Sequence, residues 1–318
     1  MSVSLNPGVS LAVSTPAYWH CGRTTASTML TLLMGLAPAV ILAALHWGGD
    51  AIRVMALSVS ACVAFEAVCQ RFMDRPITVD DFSAVVEGLL LALLLPASAP
   101  WWLVIVGAGL TILLAKQTFG GLGATPLCAP LVGWAALTIS WPVYMDPNAM
   151  ALTSFYVDPL VRLKYFGAAD ASGISYINML LGAQIGALGA GQAGAVLLGG
   201  VFILIRRVRR WEIPVAFLTG VLVTAAVFYA VNPQQYADPL FHVLAGSTLL
   251  CAFFLASDPS CSPERRTAMF IYGAVAGCLV VLIRVFGVYV DGAPFAVLLA
   301  NLVTPQVVGI QPKPFGVR

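Results

Sequence analysis

Charge is scarce in this sequence. Nine per cent of its 318 residues are Asp, Glu, Lys or Arg, against 60% hydrophobic, where a soluble chain carries roughly a quarter charged residues. That excludes an ordinary soluble enzyme and implies a polytopic membrane protein. Paired metal-ligand cysteines are also lacking. The seven cysteines (Cys21, Cys62, Cys69, Cys128, Cys251, Cys261 and Cys278) form no Cys-x-x-Cys pair and mostly lie in apolar runs, where a thiol behaves as a small hydrophobe. His20, His46 and His242 share no ligand spacing, so no metal site is read, and no residue set reads as catalytic by itself. The first 25 residues have no apolar core of the kind a cleavable signal peptide needs.

What the sequence does have is long apolar runs. A membrane-crossing helix needs about 20 such residues. On that measure the expected fold is all-α, with ten spans at about 27–47, 51–72, 81–96, 100–117, 126–145, 192–206, 212–231, 239–257, 267–287 and 292–309. Short terminal segments, 1–26 and 310–318, flank them. A polar interruption at 146–191 divides the spans into units of five, 27–145 and 192–309. With the N-terminus inside, the inner segments hold Arg23, Arg71, Arg75, Lys116, Arg206, Arg207, Arg209, Arg210, Arg265, Arg266, Lys313 and Arg318. The outer ones hold only Arg162 and Lys164. Positive charge collects on the cytoplasmic side, so both termini are expected inside and residues 146–191 outside. The run Arg206-Arg207-Val208-Arg209-Arg210 then anchors the topology and offers a seat for anionic lipid headgroups.

The two units echo each other. Asp80-Asp81-Phe82 through Glu87-Gly88 parallels Asp238-Pro239-Leu240-Phe241-His242 through Gly246, and Phe119-Gly120 through Pro126 parallels Phe286-Gly287 through Pro294. Repetition half a chain apart points to a duplicated five-helix unit. Five is odd, so the copies would insert as inverted repeats, an arrangement that places transport sites at the repeat interface. Within this plan the stretch from Lys116 to Trp134 stands out, because Gly120, Gly121, Gly123 and Pro126 break a helix between two apolar runs. Irregular backbone at membrane depth is tolerated only where protein buries it or it lines a cavity. A surface turn is the plainer alternative.

Glu87 lies inside a span, where a carboxylate usually faces a bundle interior or a wet cavity. With Asp80 at the inner mouth and Asp238 at the outer mouth of the matching span, it marks a candidate ion path. Asp80 and Asp81 also read as carboxylates favoured at a helix N-terminus, and His242 as a structural histidine.

Taken together the residues resemble the D subunit of the Rnf electron-transport complex and its kin, the B subunit of the sodium-pumping NADH:quinone oxidoreductase. The resemblance runs from about Gly22 to Pro305. It is carried by Arg75-Pro76-Ile77-Thr78-Val79-Asp80-Asp81-Phe82, Gly88-Leu89-Leu90, Pro100-Trp101-Trp102, Lys116 with Gly120-Gly121-Leu122-Gly123, Asp238 to His242, Asp258-Pro259, Ile283-Arg284 and Asp291-Gly292. It implies an inner-membrane subunit of a bacterial machine that moves electrons between ferredoxin and NAD and couples this to sodium or proton translocation. Other membrane and peripheral subunits and the lipid bilayer would be its partners, and nucleic acid would not. The family carries FMN, joined through its phosphate to a threonine in a Ser-Gly-Ala-Thr motif of an outer loop. Ser172-Gly173-Ile174-Ser175 falls at that place, so Ser175 would be the attachment residue. Ile174, Tyr176-Ile177 and Gly189-Ala190-Gly191-Gln192 depart from the family's pattern. Gly123-Ala124-Thr125 also spells Gly-Ala-Thr, but it falls at the family's inner glycine turn. There, Gly120, Gly121, Gly123 and Thr125 would border a second pocket, for riboflavin. Two other readings stand beside this one: a flavin-free transporter or channel-like subunit of the same fold, and a membrane scaffold for partner subunits.

Overall fold

The computed structural model describes residues 24–75, 78–146, 158–167, 175–182 and 186–308. The terminal segments, and Ser172, Gly173 and Ile174 of the outer motif, lie outside these. Helix α1 (Thr25–Trp47) starts where Thr24 and Ser27 cap each other's backbone, the reciprocal arrangement that satisfies two otherwise orphaned donors. It turns through Gly48, at φ 58°, directly into α2 (Gly49–Phe72). A short 3₁₀ turn, Val79–Asp81, leads to α3 (Ser83–Leu94). Helix α4 (Trp101–Gly109) continues as a wider π-helical segment, Leu110–Gln117, before α5 (Ala129–Ser140). Two short helices follow, α6 (Pro159–Phe166) and α7 (Tyr176–Leu181), then α8 (Ala193–Ile205) and α9 (Glu212–Val231). The chain ends with α10 (Pro239–Leu244), α11 (Thr248–Leu250) running on as a π turn (Cys251–Leu255), α12 (Arg266–Phe286) and α13 (Ala293–Val308).

The all-α class holds and the molecule is a multi-pass membrane bundle, but the expected ten spans in two inverted five-helix repeats are not what forms. Among the described residues four helices, α1, α2, α9 and α12, are long and apolar enough to cross a membrane, and five shorter apolar helices accompany them. The reason lies in how the apolar runs break. The run at 81–96 yields a 12-residue helix, that at 126–145 another of 12, and that at 192–206 one of 13. At 1.5 Å per residue these reach about 18–20 Å, short of a hydrocarbon core about 30 Å thick. The run at 239–257 is interrupted at Gly246, φ 66°, and the carbonyls of His242 and Ala245 beside the break accept from Arg284 at 2.7 and 2.9 Å. Arg53 does the same for the segment after α3, donating to Ala97 and Ala99 at 3.3 and 3.2 Å. Lys164 donates to the carbonyls of Gly287, Val288 and Tyr289 just after α12. Basic side chains thus satisfy backbone groups that an unbroken helix would have satisfied itself.

Small residues let the long helices close up, as in membrane bundles where packing rather than hydrophobicity drives association. Helices α1 and α8 cross at Gly35 and Gly199, where a Cβ on Gly199 would stand 1.8 Å from the Gly35 carbonyl oxygen. The outward faces carry Leu30, Met34, Ile41, Leu45 and Ile52 on α1–α2 and Val223, Val227 and Val231 on α9, all exposed. Apolar side chains facing outward in this number suit lipid, not water.

Candidate functional site

The chemistry collects where α2, α3 and the π segment after α4 meet. The wide turn, with Thr118 N–H bonded five residues back to Leu113, carries Lys116 and Gln117 into the interior, where both are buried. Such π segments are rare and often functional. The Lys116 ammonium lies 2.8 Å from Glu66 Oε1 on α2 and 3.4 Å from Glu87 Oε2 on α3, and it donates to Ser83 Oγ at 2.7 Å. Gln70 and Gln117 add donors to Glu66 Oε1 at 3.3 and 3.4 Å. Phe82 takes a left-handed conformation, φ 60°, unusual for a residue with a Cβ. That bend starts α3 with Ser83 aimed at the ammonium. Asp81 Oδ1 holds Ser83 in place, accepting from its N–H and Oγ–H at 2.8 and 2.7 Å.

One cation against two carboxylates leaves the cluster short of one positive charge when both acids are ionised. Glu66 Oε2 is buried without a hydrogen-bond partner. A buried charge of this kind is costly unless compensated, so the arrangement attracts a proton or a metal cation. A cavity of about 30 Å³ adjoins it, lined in part by Glu87, Gly123, Thr125 and Arg209. That space takes a water, whereas ring-sized ligands need roughly 300 Å³ or more.

The candidates from the sequence divide between two regions. Glu87, Gly123 and Thr125 meet at this cavity, with Thr125 buried. Gly120 and Gly121 sit beyond it on the turn, at φ 111° and 101°, and Arg75 donates to the Gly120 carbonyl at 3.2 Å. Asp80 is exposed and outside the cluster. Asp238 belongs to the other region, where its Oδ2 accepts from the Tyr176 hydroxyl at 2.7 Å. That bond brings Asp238 beside Ser175, which is exposed and precedes α7 without its hydroxyl capping the helix.

Two larger cavities lie in this second region. One, of about 390 Å³, is lined by residues including Tyr236, Ala237, His242 and Lys164. His242 Nδ1, buried, has no hydrogen-bond partner. The other, of about 450 Å³, is bordered by Trp134, Tyr165, Tyr289, Asp158 and Asp291. Burial pushes the Asp158 carboxyl up to about 7, against a hydrogen bond from the Leu160 N–H that favours the ionised form. Asp291 pairs with Arg284 at 3.1 Å and accepts from Ser247. Sequence reasoning singled out Lys116 and Glu87 but left Glu66 unassigned. The signal was available: a carboxylate alone in a long apolar run has to find a cation.

Known proteins are similar to this chain over nearly its whole length. A model of the family described as NQR2, RnfD, RnfE matches residues 12–316. The chain is 34% identical over 302 residues to the D subunit of the Na⁺-translocating ferredoxin:NAD⁺ oxidoreductase complex of Acetobacterium woodii, covering 94% of this chain and 93% of that one. It is also 34% identical over 340 aligned positions to the D subunit of the ion-translocating oxidoreductase complex of Salmonella typhimurium, covering 93% and 95% of the two chains.

Proposed function

Because the chain belongs to the NQR2, RnfD, RnfE family, we propose that it is a membrane subunit, the D subunit, of an Rnf-type complex in a bacterial inner membrane. There it couples electron transfer between ferredoxin and NAD to passage of sodium ions or protons. The observation that carries the coupling half is the Lys116–Glu66–Glu87 cluster, short of one positive charge and touching a water-sized cavity. A cation entering the cavity meets Glu87, and Lys116, shared between two carboxylates, can lean to Glu66 as Glu87 is occupied. The site then has two states that differ by one charge. Converting Glu87 to Gln cancels the deficit, so the Glu87→Gln complex should assemble and oxidise its donor while coupled ion uptake into inverted vesicles falls at least tenfold. Uptake at the parental rate would return Glu87 to a structural role.

The redox half calls for FMN, and the residues around Ser175 suit it. An exposed serine hydroxyl can form a phosphoester, and the nearby 390 Å³ cavity offers Tyr236, the unpartnered His242 Nδ1 and Lys164. When bound there FMN would supply one-electron transfer. Ser175 would tether it, His242 would offer it a polar contact, and Lys164 would favour negative charge. The riboflavin reading at 120–125 requires the glycine turn to open.

A further inference from the structure

Apart from the charge cluster, the same inner cavity touches a second group that the function above does not use. Cys128, Asp258 and Cys261 place two thiol sulfurs and a carboxylate oxygen all within 4.8 Å of one another, and both cysteines are buried. Asp258 and Cys261 come from one tight turn after the π segment 251–255, closed by Cys261 N–H and Ser262 N–H donating to the Asp258 carbonyl at 3.3 and 3.0 Å. Cys128 arrives from the residue just before α5, on the far side of the glycine turn. We propose that these three side chains form a binding site for a soft divalent cation, zinc by its preference for thiolate ligands.

Size, charge and access agree with this. Zinc–sulfur bonds of about 2.3 Å set ligand sulfurs about 3.8 Å apart on a tetrahedron, so the observed spacing closes with a small contraction. Two thiolates and a carboxylate around a divalent ion leave one negative charge, and the buried Arg209 guanidinium is there to balance it, 3.1 Å from Asp258 Oδ1. Arg209 also donates to the Ser257 carbonyl at 3.1 Å and Ser260 donates to Asp258 Oδ2. The carboxylate is therefore oriented from outside the site, as outer-shell partners orient metal ligands. The fourth position is open to the cavity of about 30 Å³ lined by Cys128, Asp258 and Ser260, room for one water. Binding forms two Zn–S bonds and one Zn–O bond and releases the two thiol protons to solvent. No electron moves. The ion would tie the turn after 251–255 to the start of α5, at the cavity that Glu87 also lines.

The test is metal content of the full chain purified in detergent after exposure to micromolar zinc sulfate and gel filtration. About one zinc per chain is expected in the parent and in Cys251→Ser, whose buried thiol lies outside the group. At least a tenfold loss is expected in Cys128→Ser, Cys261→Ser and Asp258→Asn. Zinc retained equally by all three variants would overturn the proposal, as would none retained by the parent or a Cys128–Cys261 disulfide found in it. If a variant fails to fold, X-ray absorption on the zinc-loaded parent still decides. Two sulfurs at about 2.3 Å are expected, and a shell without sulfur would refute the site.

Discussion

Lys116 has no solvent to retreat to: it is fully buried, with its ammonium between two acids. Removing one member of a buried ionic group strands the others, at a cost of about 3–5 kcal/mol. Lys116→Met should therefore lower the thermal midpoint of the purified protein sharply, and adding Glu66→Gln should recover part of the loss. A midpoint unchanged in the single variant would mean that water already reaches the cluster. At Ser175 the expectation is chemical. A flavin joined by a phosphoester survives denaturation, so the chain should fluoresce on a denaturing gel and Ser175→Ala should not. Thr125→Ala should leave the band in place, since Thr125 is buried at the inner cavity, whereas Ser175 adjoins the Tyr176–Asp238 pair of the other region. Fluorescence persisting in Ser175→Ala would move the attachment elsewhere.

At the scale of the helix, close contact is the vulnerable feature. Helices α9 and α12 meet at Gly220 and Gly277, and a Cβ on Gly277 would lie 2.2 Å from the Phe217 carbonyl oxygen. Backbone cannot move aside as a side chain can, so Gly277→Leu should cost at least the 1–3 kcal/mol or so typical of overpacking. Unfolding in detergent would register it as a lower midpoint and a smaller folded yield. These two helices were also the most legible in the sequence. Uninterrupted apolar runs at 212–231 and 267–287 became Glu212–Val231 and Arg266–Phe286 nearly residue for residue. The short helices were not legible, because hydropathy measures how apolar a run is and not whether its backbone stays helical. Nothing in the apolar character of 239–257 records that Gly246 turns left-handed, or that Arg284, 38 positions on, collects the loosened carbonyls. The site was legible to the same degree. Lys116 and Glu87 stood out as charges in apolar surroundings, but their meeting with Glu66 depends on a π turn that no local pattern announces. Likewise Cys128 and Cys261 are 133 positions apart, and only folding sets Cys128 beside the Asp258–Cys261 turn.

For the whole molecule the prediction concerns orientation in the membrane. The uneven placement of Lys and Arg favours Arg207 inside and Ala168 outside. A reporter active only in the cytoplasm should work when fused at Arg207 and fail at Ala168, and the same activity at both would require another threading of the four long helices. Orientation matters because a membrane voltage falls mainly across low-dielectric material. Where α3 and α5 supply only about 18 Å of apolar wall, the field is steeper than across the full length of α1 or α2. An elementary charge carried through the whole potential changes energy by about 2.3 kcal/mol per 100 mV. Glu87 stands near the start of α3, so on the ion path proposed above a cation released from it would run most of that drop along one 12-residue helix. On that path the work done against the voltage would be concentrated on a single short stroke away from the Lys116 ammonium, which sits at the Ser83 end of the helix.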